Sequence, residues 1–461
     1  MLRLTFTPYQ RLSRLCSLAL LCVPSAHALD LLQTWEQARQ HDPQMQVVSA
    51  TRSSVQAFEA QAKSLWRPVL MGNANVGLMS ADTNTQGAQF SMGGGPSSGN
   101  FATSANAANS TRWSLQAKQP LYSPERDAQQ VQLQKAASVA ELRADLAQQQ
   151  FMQLTAQRYF KLLLAERQWQ LLQNQFAAVS RSLTEVRDRF ALGDLPVTDT
   201  HEAMARAAGL QVQLLAAQHE VQLARHELTQ STKLSAEAMK VLTPKAELTL
   251  PNVPSLAQVQ EQVRQSNTGL LLQKAQWDVA QQEVKKHQLS GGTSVDLVAS
   301  AGRERWSGKG DFGASSQTQQ QQMVGISMNL PLYTGGWRSA KLHESVSAAE
   351  KAAADYEVMR DQVLQQTQAV WLSLQTAPTR LSAMQAAWKA SMARLDATRL
   401  GRQVGDRTTL DLLQAENDAT QAEQALLRAQ TDVLLTQLQL DALTGAMSLQ
   451  SLQSINGQLA R

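Results

Sequence analysis

The chain has 461 residues, 43% of them hydrophobic, 17% charged and 5% aromatic, with a formal net charge of +4 from 42 basic and 38 acidic residues. That length carries ample apolar material for a core, and a charge balance so close to even excludes the basic footprint of a nucleic-acid binder. Both cysteines, Cys16 and Cys22, lie near the N-terminus, which excludes a cysteine zinc site, a thiol nucleophile or a disulfide scaffold in the rest of the chain.

Residues 1–28 read as a cleaved signal peptide. Arg3, Arg11 and Arg14 form a basic region, residues 15–23 an apolar run too short to span a bilayer, and Ala26-His27-Ala28 a small-x-small cleavage site. Loss of the three arginines brings the mature chain to within one charge of neutrality. No later stretch approaches the ~20 apolar residues of a transmembrane helix, so any membrane crossing falls to strands.

The mature chain reads as an internal duplication, 29–241 and 256–461, joined by a proline-bearing linker over 242–255 with little regular structure. Glu36-Gln37-Ala38-Arg39-Gln40 answers to Glu261-Gln262-Val263-Arg264-Gln265, Gln119-Pro120-Leu121-Tyr122 to Leu330-Pro331-Leu332-Tyr333, and Leu192-Gly193-Asp194 to Val404-Gly405-Asp406. Each copy is expected to run helix, strand, strand, long helix, turn, helix.

Period-2 alternation predicts strands at about 69–79 and 111–121, then at about 293–302 and 323–333. Leu70, Ala74, Val76 and Leu78 alternate with Met71, Asn73, Asn75 and Gly77, and Val324, Ile326 and Met328 alternate with Met323, Gly325 and Ser327. The polar stretches 80–110 and 303–322 are expected to be the long outer loops of a membrane barrel. Trp66, Phe90, Phe101, Trp306, Phe312, Tyr333 and Trp337 lie near strand ends, where an aromatic girdle would sit.

Ser123-Pro124-Glu125 starts a helix expected over about 124–190, roughly 100 Å long, and a second is expected over about 336–400 with Pro378 inside it. Gly193 and Gly405 sit where a glycine closes each helix. The following helices, about 197–232 and 408–444, carry a heptad seam in one phase. In the first it runs through Thr200, Ala203, Ala207, Leu210, Leu214, Ala217, Val221, Ala224, Leu228 and Ser231. The second places Leu412, Ala415, Ala419, Ala422, Leu426, Ala429, Val433, Thr436, Leu440 and Leu443 at equivalent positions. Such a seam implies antiparallel coiled-coil pairing with the preceding helix. A coiled-coil scaffold or adhesion protein without a channel is the alternative these helices allow.

Four amphipathic strands cannot close a barrel alone, and an open sheet in lipid leaves unpaired edges. An exported chain of this kind either oligomerises or keeps its sheet in water. Catalysis has no motif behind it: the histidines form no metal-ligand pattern, and Gly93-Gly94-Gly95 lacks the context of a phosphate loop. No enzyme activity, cofactor or metal is expected.

Together these residues resemble the TolC family of outer-membrane channel proteins of Gram-negative bacteria. The likeness covers the mature chain. It includes Ala38-Arg39-Gln40-His41-Asp42-Pro43 and Leu330-Pro331-Leu332-Tyr333-Thr334-Gly335-Gly336, and is most specific in the segment from Val404-Gly405-Asp406-Arg407 to Asp411-Leu412-Leu413. The resemblance implies a mainly α chain with a membrane β part: four long antiparallel strands and long coiled-coil helices, three copies forming a 12-stranded β-barrel continued by a 12-helix α-barrel. It implies an exit duct for type I secretion or multidrug efflux in the outer membrane, with a long periplasmic part. A periplasmic adaptor and an inner-membrane ABC or RND-type pump would be its partners.

By position, Thr198, Asp199, Arg402 and Arg407 match the family's gate tether, with Arg402 where an aromatic residue is common. Asp411 and Gln414 match the entrance rings, with Gln414 where an acidic residue is usual. Gly193, Asp194, Leu195, Gly405 and Asp406 match the helix-tip turns that dock the adaptor.

Overall fold

The computed structural model describes residues 29–91, 95–234, 239–240, 242–244, 248–250 and 253–459. The leader at 1–28, Gly93, Gly94 and parts of the 242–255 connection lie outside the described residues.

Helices α1 (Leu31–His41) and α2 (Pro43–Ser64) are divided by Asp42, whose carboxylate caps α2 through the Gln44 N–H at 2.9 Å with Pro43 at the first helical position. Strands β1 (Val69–Ser91) and β2 (Pro96–Tyr122) follow, then α3 (Pro124–Ala191) and α4 (Val197–Thr232). The second half holds α5 (Leu256–Ser266), α6 (Thr268–Leu289), β3 (Ser294–Gly310), β4 (Gly313–Asn329), α7 (Trp337–Gln403), α8 (Thr409–Leu443) and α9 (Leu449–Asn456).

α3 has 68 residues and α7 has 67, each about 100 Å of helix at 1.5 Å per residue. α7 passes through Pro378 without a break, its neighbours Leu374 and Ala377 being buried against α5 and α8. The heptad positions are the inner faces of α4 and α8. Ala203, Leu210, Ala217, Val221, Ala224 and Leu228 are buried in one, and Ala415, Ala419, Leu426, Ala429 and Val433 in the other. Alanines at the contact let the paired backbones approach closely.

The main core sits midway along the helices. There Leu31 and Trp35 of α1, Tyr159, Phe160 and Leu162 of α3, Leu228 of α4, Leu438 of α8 and Leu452 and Ile455 of α9 pack together. Asp42, 5% exposed, accepts from Ser231 at 2.7 Å and from Arg158 at 3.1 Å, which locks α2, α3 and α4 to one another. The described part of the connection packs against this waist: Leu242 is buried, and Trp371 donates to the Pro254 carbonyl at 2.8 Å.

The strands form one antiparallel sheet in the order β1-β2-β3-β4. They outrun the predicted spans. The stretches expected as loops, 80–110 and 303–322, are mostly ladder, because paired backbone needs no apolar side chain and polar strands stand in water as well as apolar ones stand in lipid. β4 ends at Asn329, short of the predicted 333, where Pro331 has no N–H for a ladder.

One face carries Leu70, Val76, Leu78, Trp113, Leu115, Leu297, Val324, Ile326 and Met328, all exposed. The opposite face carries the ion pairs Lys118–Asp296 at 2.9 Å and Arg112–Glu304 at 2.5 Å. Trp306, expected in a girdle, lies on that second face and is 8% exposed. Its place among exposed aromatics is taken by Trp113.

Candidate functional site

Far from the sheet, each long helix turns back through the same device. α3 ends at Ala191, and Gly193 has φ +82° while the Asp194 N–H returns to the Arg189 carbonyl at 2.9 Å. α7 ends at Gln403, and Gly405 has φ +83° while the Asp406 N–H returns to the Gly401 carbonyl at 2.8 Å. A left-handed residue in this place satisfies the last free carbonyls, and glycine takes that conformation without a Cβ clash.

The helices leaving the turns start differently. α4 begins after Pro196 with no side-chain cap. α8 begins with a reciprocal capping box: the Thr408 hydroxyl accepts from the Asp411 N–H at 3.1 Å, and Asp411 Oδ2 accepts from the Thr408 N–H at 3.0 Å and hydroxyl at 2.8 Å.

The two tips lie side by side around a cleft of about 520 Å³ lined by Glu185, Leu195, Asp199, Arg402, Gly405 and Arg407 among others. α4 is tied across to α8 by Arg206, which donates to the Leu413 carbonyl at 3.2 Å, and α3 to α8 by Gln175 to Asn417 at 3.2 Å.

The sequence-derived site residues divide here. Asp199, Arg402 and Arg407 share the cleft. Among the described residues Thr198 donates only to its neighbour Asp199, at 3.4 Å. Arg402 pairs with Glu185 of α3, a residue no motif had singled out. Arg407 lies along α7 over Gly401, where a Cβ would come 2.8 Å from its Cγ, and among the described residues it makes no ion pair within its own chain. Gln414 donates to Asp418 at 2.9 Å, and Asp418 also accepts from Arg394 at 2.8 Å.

Electrostatically the tip is mixed rather than acidic. Asp411 is held below the usual carboxylate range. The cause is first the Thr408 backbone N–H and then its hydroxyl, which outweigh an opposing desolvation, with Arg407 and Arg394 adding lesser positive potential. Glu185 had no sequence signal: it meets Arg402 across 217 residues of chain, and only the folded tips bring them together. Among the described residues this arrangement has charges and hydrogen-bond donors at the boundary between two helical hairpins and no nucleophile–base pair; it suits a latch better than a reaction.

The family model described as "Outer membrane efflux protein" matches residues 34–232 and 259–446. "Outer membrane protein TolC" of Escherichia coli (strain K12) is 26% identical over 445 residues, covering 95% of this chain and 86% of its own length. "Proteases secretion protein PrtF" of Dickeya chrysanthemi is 24% identical, covering 94% of this chain and 91% of its own. Among solved structures, the Campylobacter jejuni CmeC outer membrane channel superposes with a TM-score of 0.72 at 13% identity, over 93% of this chain and 89% of that one. Long paired helices, one four-stranded sheet with a lipid-compatible face, and a family match across both halves come to a single conclusion: the chain belongs to the outer membrane efflux protein family, the TolC family of outer-membrane channels.

Proposed function

We propose that three copies of this chain close into one export duct, a 12-stranded barrel in the outer membrane continued by twelve helices through the periplasm, with the helix tips as its gate. As a member of its family the protein is a non-enzymatic outer-membrane channel for efflux or type I secretion in a tripartite system. That assignment sets aside the scaffold without a channel.

The observation that carries the trimer is the sheet itself. β1 and β4 are its free edges, and its apolar face is exposed over all four strands. In hydrocarbon each unpaired backbone group costs several kcal/mol, so the edges must meet those of other copies. Two copies give eight strands and a filled interior, whereas three give twelve and a lumen.

The polar face, with its Lys118–Asp296 and Arg112–Glu304 pairs, then lines water. The tips at Gly193, Asp194, Leu195, Gly405 and Asp406 point to the far end, where a periplasmic adaptor and an inner-membrane pump would dock. Arg402 and Glu185 hold that end within one protomer, which leaves Arg407 and the Thr198–Asp199 pair available to neighbouring copies. Native mass spectrometry of the detergent-purified protein tests the assembly: three times the chain mass is expected, and a stable monomer or dimer overturns it.

A further inference from the structure

We propose that the outer part of the first hairpin is folded inward across the mouth of the channel and acts there as a size-selecting constriction, a reading that rests on the barrel proposed above.

The face over which it folds follows from β3. The β3–β4 ladder runs from Ser294 to Gly310 without a register shift, so side chains alternate strictly along it. Arg303, Arg305, Ser307 and Lys309 are exposed on the outer face, while Asp296, Val298 and Trp306 are buried on the other. That second face bears the two ion pairs and is the channel face. Gly308 and Gly310 continue it to the outer end of the strand.

Both glycines are covered. A Cβ on Gly308 would lie 2.5 Å from the Ala108 Cβ and 2.6 Å from its Cα, and a Cβ on Gly310 would lie 1.9 Å from the Ser104 carbonyl oxygen. The β2 backbone therefore crosses β3 on the channel side, in space that any residue other than glycine would occupy.

The bend is built into both arms of the hairpin. β1 and β2 slip register between Met79 and Ala81, and β2 slips against β3 between Asn106 and Asn109. Ala107 has φ +47°, unusual for a residue with a Cβ, and donates its N–H to Ser80 Oγ at 3.0 Å. Past the bend, Ala105 and Ala108 pack on Trp306 with Met79 beside them. The Asp311 N–H donates to Ser104 Oγ at 2.5 Å, and Asn106 Nδ2 donates to Asp311 Oδ1 at 3.2 Å. The first hairpin is thus clipped to the turn of the second.

Beyond the clip the ladder continues from Ala81↔Ala105 to Ser91↔Pro96 with no third strand beside it. Ten residues an arm give roughly 33 Å of ribbon. A twelve-stranded barrel tilted ~40° is about 24 Å across between backbones. Three such ribbons, starting inward from the rim, span the opening. Asp82 is the only charged residue in 80–111, so beyond one carboxylate per copy the ribbons select by size.

The test uses the absence of cysteine from residues 29–461. Ser300→Cys places a thiol on the channel face of β3, below the ribbon, and intact cells are treated with a small maleimide or with a 5-kDa maleimide-polyethylene glycol. The ribbon is opened in two ways: by Gly310→Val, whose side chain takes the place of the Ser104 backbone, and by Ser104→Ala with Asp311→Ala. Phe312→Cys, 77% exposed in the turn between β3 and β4, reports surface access and correct insertion for every variant. The small reagent is expected to label Ser300→Cys alike in all backgrounds, and the large one about tenfold faster in either opened variant. Equal labelling by the large reagent in parent and opened proteins overturns the constriction while leaving the barrel intact. No labelling by the small reagent in any background removes the water-filled barrel and the constriction together.

Discussion

Arg402 and Glu185 show how little energy the proposed gate contact needs. Their side chains are 28% and 44% exposed, so the pair contributes on the order of 0–1 kcal/mol per protomer. In the gate proposed above, a hold of that size would keep the tips together at rest and yield to a docking partner. Arg402→Ser is expected to raise single-channel conductance in planar bilayers severalfold while leaving the thermal midpoint nearly unchanged. Glu185→Gln should do the same, and a silent Glu185→Gln beside an active Arg402→Ser would move the partner of Arg402 to another residue.

Asp411 does two things with two oxygens. Oδ2 accepts both bonds from Thr408, and among the described residues Oδ1 has no hydrogen bond, which leaves it for a cation. Three copies around an entrance would form a ring that attracts multivalent cations. Asp411→Asn is therefore expected to weaken block by divalent and trivalent cations, measured as the blocking concentration in the same bilayers. The pH dependence has a definite sign. Because the folded carboxyl is held below its ordinary range, its cap and its charge are both present above that range and are lost only as pH falls through the lowered value. Block that fades well above the ordinary carboxylate range would place the ring elsewhere.

At the scale of elements, the helices were the most legible part of the chain. Long stretches almost free of proline and glycine, Ser123-Pro124 at one start and a glycine just past each end locate a helix whatever its surroundings, and the structure has α3 at Pro124–Ala191 and α7 at Trp337–Gln403. The strand ladders were legible only where lipid imposes alternation. Outside the apolar band the residues of 80–110 carry no pattern, and backbone pairing, which any sequence can make, decides the structure. The cleft was legible in its turn glycines and in Asp199, Arg402 and Arg407, which share it. It was not legible in Glu185, whose partner depends on how two hairpins meet in space. The turns themselves are open to test. At φ +83° a side chain at position 405 is strained even with open space around it. Gly405→Ala is expected to cost about 1–2 kcal/mol locally. Faster amide exchange across 400–412 with an intact oligomer would report it, and unchanged exchange would mean that the turn adopts another conformation.

At the scale of the whole molecule, the two faces of the sheet make opposite demands on neighbouring residues. On β1 the lipid-facing run from Leu70 to Leu78 spans about 27 Å of strand, roughly 20 Å of bilayer once tilted ~40°. Ile326 of β4 is the middle of that strand's own exposed apolar run, Val324, Ile326 and Met328, 71% exposed in the single chain and opposite Leu297, while the next residue, Ser327, faces Asp296 on the polar side. An arginine facing hydrocarbon costs up to about 2–4 kcal/mol per site. Three copies multiply that to as much as roughly 6–12 kcal/mol, comparable to the whole margin of a typical fold. The same arginine one residue along meets water and a carboxylate. Ile326→Arg is therefore expected to abolish the proposed outer-membrane oligomer, and Ser327→Arg to leave it at near normal yield with altered ion selectivity. Charge tolerated at 326 and rejected at 327 would invert the two faces, and with them the direction in which the first hairpin folds.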